Sequence, residues 1–276
     1  MELLFSKMHG LGNDFVVIDA INQSVDLTSA QVRHIADRRM GVGCDQLLLV
    51  ERSGQAETEF RYRIFNANGR EAEQCGNGAR CFARFVRDKG LTDASRIPVQ
   101  SPAGRIELII QDDERITVDM GAPLLEPDDI PFQAMVRAPL YALAVAGETI
   151  ELGAVSMGNP HAVLEVPHID SAPVAKLGPQ IEAHSRFPNH VNVGFMEIVD
   201  RGRIRLRVFE RGVGETLACG SGACAAVVVG RIQGELDETV TVELRGGDLV
   251  VSWAGENSPV LMTGPATFVY DGKILI

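Results

Sequence analysis

Cys75-Gly76-Asn77-Gly78-Ala79 and Cys219-Gly220-Ser221-Gly222-Ala223 are near copies of each other, 144 residues apart. The likeness runs back at the same offset, through Tyr62-Arg63-Ile64-Phe65-Asn66 against Leu206-Arg207-Val208-Phe209-Glu210. Arg63, Phe65, Glu71, Cys75, Gly76, Gly78 and Ala79 recur without a gap as Arg207, Phe209, Glu215, Cys219, Gly220, Gly222 and Ala223. At an offset of 146, Gly12-Asn13 finds Gly158-Asn159, and Gln46 finds Asn192. A period this long is a duplicated domain, not a solenoid. The chain reads as one ancestral half written twice, and the duplication predicts two facing thiols.

At 276 residues there is room for two domains, and 45% hydrophobic with 23% charged residues is the composition of a globular protein with a core in each half. A formal net charge of −11 argues against a nucleic-acid partner, whose phosphates need a basic footprint. One tryptophan and three tyrosines are too few for base-stacking platforms. No run of about eighteen apolar residues occurs, and Met1-Glu2-Leu3-Leu4-Phe5-Ser6-Lys7 lacks the parts of a signal peptide, so a cytoplasmic protein without membrane association is expected. Five cysteines (44, 75, 81, 219, 224) are an odd number in a chain too large to need staples, which points to thiols available for chemistry.

Apolar and alternating stretches predict strands at 15–19, 46–50, 61–65, 105–110, 116–120, 204–208, 240–244 and 267–270, the last returning to the first half. Helices are predicted at 28–40, opened by the capping pair Thr28 and Gln31, and at 173–184, opened by Pro173. Two more, at 78–88 and 222–233, follow the cysteines and are apolar enough to be buried in each half. Residues 121–139, with four prolines, read as an exposed connection. The boundary falls near residue 118: a first half of 1–118 plus about 264–276, a second of 119–263, and an active site in the cleft between them.

The Cys-Gly-x-Gly-Ala pattern sets a thiol at the mouth of a helix, where unpaired N–H groups and the positive dipole end converge. That setting favours the thiolate, and the same N–H groups suit a carboxylate. Two such helix starts can hold one carboxylate and leave the neighbouring carbon between two sulfurs. One thiolate removes a proton from one face, the opposing thiol delivers one to the other, and configuration inverts with no cofactor. A lone cysteine beside glycine is usually a small buried residue; duplication of the pentapeptide sets Cys75 and Cys219 apart from that reading. Cys44, Cys81 and Cys224 read as packing residues, and the spacings Cys75 to Cys81 and Cys219 to Cys224, without histidines nearby, do not match a metal site.

Asn13, Gln46, Asn66, Asn159 and Asn192 form a second, uncharged set, several at corresponding places in the halves. Singly, each reads as a turn residue; together they suit the polar end of an amino acid, with Arg211 as the cation for a second carboxylate. His161 and Glu210 stand where the other half has Phe15 and Asn66, an asymmetry able to give the two cysteines different proton affinities.

The chain resembles the diaminopimelate epimerase family over almost its full length. The matching segments include Met8-His9-Gly10-Leu11-Gly12-Asn13-Asp14-Phe15, Gly41-Val42-Gly43-Cys44-Asp45-Gln46, Phe65-Asn66-Ala67-Asn68-Gly69 and Gln74-Cys75-Gly76-Asn77-Gly78-Ala79-Arg80-Cys81. In the second half they are Met157-Gly158-Asn159-Pro160-His161, Asn192-Val193 and the run from Phe209-Glu210-Arg211 to Cys219-Gly220-Ser221-Gly222. The resemblance implies a cofactor-independent isomerase interconverting LL- and meso-2,6-diaminoheptanedioate, in lysine and peptidoglycan precursor biosynthesis. It implies an α/β (α+β) fold of two pseudo-symmetric domains, each a mixed sheet curled around a central helix. Cys75 and Cys219 would be the acid/base pair. Asn13, Gln46, Asn66, Gly76, Asn77, Asn159, Asn192, Glu210, Arg211, Gly220 and Ser221 would contact substrate, with His161 and Glu210 tuning the thiols. No metal and no cofactor are implied; a homodimer is, with Tyr270 at its interface.

Two rival readings accompany this one. A proline racemase or phenazine-type isomerase of the same superfamily often lacks one cysteine or the Asn and Arg set. A redox protein would use Cys75 and Cys219 as a reversible disulfide, since low-pKa thiols facing each other are prone to oxidation.

Overall fold

The computed structural model describes residues 2–72, 75–102 and 104–276. Gln74, in one matching segment, and Met1 lie outside the described residues. The chain divides into two compact units, residues up to Asp119 together with Thr263–Ile276, and Met120–Met262.

In the first unit, β1 (Glu2–Gly10) and β2 (Asn13–Asp19) form an antiparallel hairpin. Its two-residue turn puts Leu11 and Gly12 at φ 58° and 89°, a conformation that costs glycine nothing and so fixes Gly12 next to Asn13. A crossover through α1 (Ser29–Ala36) leads to β3 (Gln46–Arg52), parallel to β2. Next come β4 (Phe60–Asn66), antiparallel to β3, the short β5 (Glu71–Ala72) folded back on β4, and α2 (Gly76–Asp88). β6 (Arg96–Ser101) lies parallel to β4, and β7 (Gly104–Ile110) and β8 (Ile116–Asp119) extend the sheet as a meander.

The second unit repeats this plan. β9 (Tyr141–Val145) and β10 (Glu148–Ser156) pair antiparallel, as do β10 and β11 (Pro160–Glu165). A crossover through α3 (Val174–Glu182) sets β12 (Asn192–Asp200) parallel to β11. β13 (Arg203–Glu210), the short β14 (Gly214–Glu215) and α4 (Gly220–Ile232) follow, then β15 (Thr239–Leu244), parallel to β13, and β16 (Gly247–Trp253). After β17 (Val260–Gly264) the chain ends in β18 (Thr267–Leu275), antiparallel to β1 of the first unit.

Register makes the equivalence residue-specific. Phe15 pairs with Gln46 across the parallel ladder of the first unit, and His161 pairs with Asn192 across that of the second. Leu47 faces Phe65, as Val193 faces Phe209. Helix α2 packs against β1, β2 and β3 as well as β7 and β8, strands far apart in the pairing order, which requires a sheet curled around it. α4 lies likewise against β10 to β13 and β16. α1 packs on β3, and α3 on β12 and β13. The architecture is therefore the mixed, curled α/β arrangement predicted from sequence.

The elements differ from expectation in three places. α1 stops at Ala36 and not near residue 40, because the Asp37 carboxylate takes the N–H groups of Arg39 and Met40 and turns the chain out of the helix. α2 and α4 begin at Gly76 and Gly220, two residues before their expected starts, so that each cysteine is itself the N-cap. Residues 121–139 are not simply an exposed connection: Ile130 and Phe132 are buried among Tyr141, Val174 and Phe187, and the Arg186 guanidinium stacks on Phe132 at 4.3 Å. Among the described residues no helix is long and apolar enough to cross a membrane.

Candidate active site

Cys75 has the extended backbone of an N-cap (φ −148°, ψ 111°), which turns its Sγ back over the first turn of α2 to accept the Gly78 N–H at 3.5 Å. The Cys75 carbonyl accepts from Ala79 N and from the buried Tyr62 hydroxyl at 3.1 Å. A Cβ on Gly78 would lie 2.8 Å from that hydroxyl and 3.2 Å from Phe15, so glycine is required for the helix to start this close to β4. The Cys75 thiol donates to Asn13 Oδ1 at 3.6 Å, and Asn77 Nδ2 donates to the same oxygen at 3.3 Å. Gln46 and Asn66, opposite each other on β3 and β4, are joined by an amide hydrogen bond of 2.9 Å. The first unit thus gathers Asn13, Cys75 and Asn77 at one helix start, with Gln46 and Asn66 as a second pair.

Cys219 caps α4 with the same extended backbone (φ −117°, ψ 110°). Its sulfur lies 3.7 Å from Ser221 Oγ, which accepts from Asn159 Nδ2 at 3.5 Å. Asn159 Oδ1 in turn lies 3.0 Å from His161 Nε2. Asn192, 3% exposed, donates to the Pro160 carbonyl at 3.1 Å and accepts the Arg211 N–H at 3.0 Å, tying the turn after β13 to the start of β11. Arg211 extends an exposed guanidinium that donates to Asn189 O, and the Glu210 carboxylate receives the Thr216 hydroxyl at 2.5 Å. Cys219, Ser221, Asn159 and His161 form one chain of contacts; Asn192 and Arg211 brace it.

Burial reverses the expected effect of the helix start on Cys219. The thiol is 5% exposed, and loss of solvent together with the nearby Glu210 carboxylate pushes it well above the usual cysteine range. The Ser221 hydroxyl and Gly222 N–H pull the other way without prevailing, so Cys219 is a thiol at neutral pH. His161 is pushed down to about 3, first by burial and then by the Arg211 charge, and is neutral. A neutral imidazole placed against a carbonyl oxygen donates from Nε2. Cys44 and Cys81 are buried in apolar surroundings that raise them to about 11 and about 12, which suits packing and not chemistry.

Sequence reasoning quoted Asp14 and Asp45 as motif residues but gave them no role. Asp45 accepts the Asn13 side-chain N–H at 3.0 Å, and Arg38 bridges Asp45 and Asp14. Tyr62 and Thr216 were also missed. Tyr270 belongs to neither constellation: it lies on β18, half-exposed, edge-on to Phe5 at 6.0 Å.

A family model described as diaminopimelate epimerase matches residues 5–125 and 153–269. Among curated relatives, a diaminopimelate epimerase of Thioalkalivibrio sulfidiphilus is 67% identical over 276 residues, and one of Chromobacterium violaceum is 59% identical over 274, each covering 99% of both chains. Among solved structures, a hydroxyproline epimerase from Agrobacterium vitis superposes with a TM-score of 0.71 at 14% identity, covering 99% of this chain and 92% of that one. A phenazine biosynthesis protein of the PhzF family from Bacillus anthracis gives 0.70 at 18% identity, over the full length of both. These two share the fold.

Proposed function

The chain belongs to the diaminopimelate epimerase family and is an isomerase, and from that premise we propose that it interconverts LL- and meso-2,6-diaminoheptanedioate with Cys75 and Cys219 as its two proton-transfer groups. The observation that carries the mechanism is that each half caps its central helix with a cysteine, followed by Gly-x-Gly-Ala. In this reading the reacting α-carboxylate takes N–H groups from both helix starts, including those of Gly76, Asn77, Gly220 and Ser221. One sulfur, as thiolate, takes the α-hydrogen as a proton. The electron pair left on the α-carbon spreads into the carboxylate held by those N–H groups. The opposing thiol gives its proton to the other face, configuration inverts, and the sulfurs have exchanged protonation states.

Asn13, Gln46, Asn66, Asn159 and Asn192 would hold the ammonium and carboxylate groups, Arg211 would pair with the distal carboxylate, and His161 and Glu210 would set the proton affinity of Cys219. The energetic demand is large, because an α-hydrogen beside a carboxylate is a very weak acid. Burial of the thiol strengthens every charge interaction at the reacting carbon. We infer a cytoplasmic homodimer with Tyr270 at its interface; the reading needs no cofactor, metal or nucleic acid.

Turnover of LL-diaminopimelate in heavy water with no added cofactor is the test. Solvent deuterium should enter at one α-carbon of the product, and Cys75→Ala and Cys219→Ala should each lose turnover. An undiminished rate in either variant excludes the two-thiol mechanism.

A further inference from the structure

The Asn13 amide can present either its oxygen or its NH2 group to Cys75, and the neighbouring residues decide which. A carboxylate only accepts, so the NH2 of Asn13, 3.0 Å from Asp45 Oδ2, must face it. The amide oxygen is then turned to the Cys75 thiol and to Asn77 Nδ2. Asp45 is itself pinned: its Oδ2 also takes the Asp14 N–H at 3.1 Å, its Oδ1 takes Arg38 at 2.6 Å, and its own N–H goes to Asp14 Oδ1 at 2.9 Å. Behind it, Asp14 receives both Arg38 nitrogens and the Lys7 ammonium, which also donates to the Gly43 carbonyl. Two carboxylates thus stand against two cations in this cluster.

The second half shows the opposite arrangement. At the 146-residue offset, Asn159 corresponds to Asn13 and Gln46 to Asn192, so Asp45 corresponds to Val191 and Phe15 to His161. Val191 is fully buried and has no side-chain acceptor. His161 instead takes the amide oxygen of Asn159, leaving the NH2 of Asn159 to Ser221, next to Cys219. Exchange of two residues between the halves therefore reverses the amide.

We propose that Asp45 is a positioning residue that fixes the Asn13 amide with its oxygen toward Cys75, giving this thiol an amide acceptor where Cys219 has the Ser221 hydroxyl and the Glu210 carboxylate. The proposal rests on the two-thiol reading above and adds to it a residue that sets which end of the Asn13 amide Cys75 meets. A hydrogen bond from the thiol stabilises its protonated form. Removing Asp45 frees the amide, which favours the Cys75 thiolate while misplacing the polar group that substrate must meet.

The test uses full-length reduced protein carrying Asp45→Ala, Asp45→Asn, Asn13→Ala and the double variant Asp45→Ala with Asn13→Ala. Alkylation of Cys75 by iodoacetamide is followed against pH by mass spectrometry, alongside epimerisation of LL-diaminopimelate. Besides Asp45, the charged and titratable groups around this corner include, among the described residues, Lys7, Asp14, Arg38, Cys44, Tyr62, Arg80 and Cys81, and none is altered. Asp45→Ala should lower the midpoint of the alkylation profile, raising the thiolate fraction below it about fivefold, while kcat/KM falls roughly 10- to 100-fold. Greater exposure alone would speed alkylation at every pH without moving the midpoint. Asp45→Asn keeps an oxygen for the Asn13 NH2 and should restore both readouts to within about threefold. The double variant should be no slower than Asn13→Ala alone. An unmoved midpoint in Asp45→Ala, losses that multiply in the double variant, or an Asp45→Asn as impaired as Asp45→Ala would each overturn the proposal. If Asp45→Ala does not fold, Asp45→Val, the residue of the second half, replaces it. Failure of the wild-type chain to epimerise would defeat the two-thiol reading, while the alkylation profile still decides the role of Asp45.

Discussion

At the scale of single residues, His161 shows how a buried polar group makes stability depend on pH. Its imidazole is 1% exposed and is lowered from 6.5 to about 3. Between those values the unfolded chain takes up a proton that the folded chain refuses, so acid favours unfolding. The stabilisation is fully present above about pH 6.5 and is lost as pH falls towards 3. At most a few kcal/mol is involved, at 1.36 kcal/mol per pH unit. Carboxylates such as Asp14, held low by Arg38 and Lys7 against the effect of burial, contribute in the same direction but mainly below pH 4. Comparison with a variant separates the two. The thermal midpoint of His161→Gln, which keeps a donor for Asn159, should fall less between pH 7 and about 4.5 than that of the wild type. Parallel curves would mean that His161 gains its proton without cost.

At the scale of elements, the short strand before each cysteine is held by a repeated ion pair. Arg63 donates to both Glu71 oxygens at 2.8 and 3.0 Å, and Arg207 to both Glu215 oxygens at 2.7 and 3.0 Å. These forks fasten β5 to β4 and β14 to β13, four residues before the thiols. The second is less exposed and gains Arg245, so Glu215→Ala should cost about 1 kcal/mol in urea unfolding and Glu71→Ala less. An equal or reversed order would show that Arg245 adds nothing. Gly78→Ala places a methyl against Tyr62 and Phe15, both rigid, and should destabilise by roughly 1–3 kcal/mol with loss of turnover. Much of this was legible in the sequence, because a helix start at a tight approach admits few residues: Cys, Gly and the Arg–Glu fork recur in both halves. What was not legible depends on contacts between distant segments. Asp45 acquires its role only when β3 pairs with β2, and the rise of Cys219 requires burial that a helix-start motif does not encode. Ile130 and Phe132 were hidden among prolines and acidic residues that suggested an exposed connection.

At the scale of the whole molecule, duplication supplies two equivalent frames and divergence makes them unlike. The repeated plan, down to the facing pairs Leu47 with Phe65 and Val193 with Phe209, puts a capping cysteine at the same point of each unit. Along β18, both alternating faces are exposed over 267–271, with Phe268 at 44%, Val269 at 51% and Tyr270 at 44%. A strand with apolar side chains in solvent on both faces is costly in an isolated chain and invites a partner. The partner proposed here is a second copy, since a two-fold axis lets one patch cover itself. Sedimentation equilibrium should then give twice the chain mass, and Tyr270→Glu should shift the protein towards a monomer by burying a charge in that contact. Tyr270 also packs on Phe5, so the melting temperature of the variant must be taken at several protein concentrations. If the strand is an interface, the wild-type midpoint rises with concentration while that of the variant does not. A wild-type chain that sediments as a monomer would leave β18 without its proposed cover and remove Tyr270 from any interface.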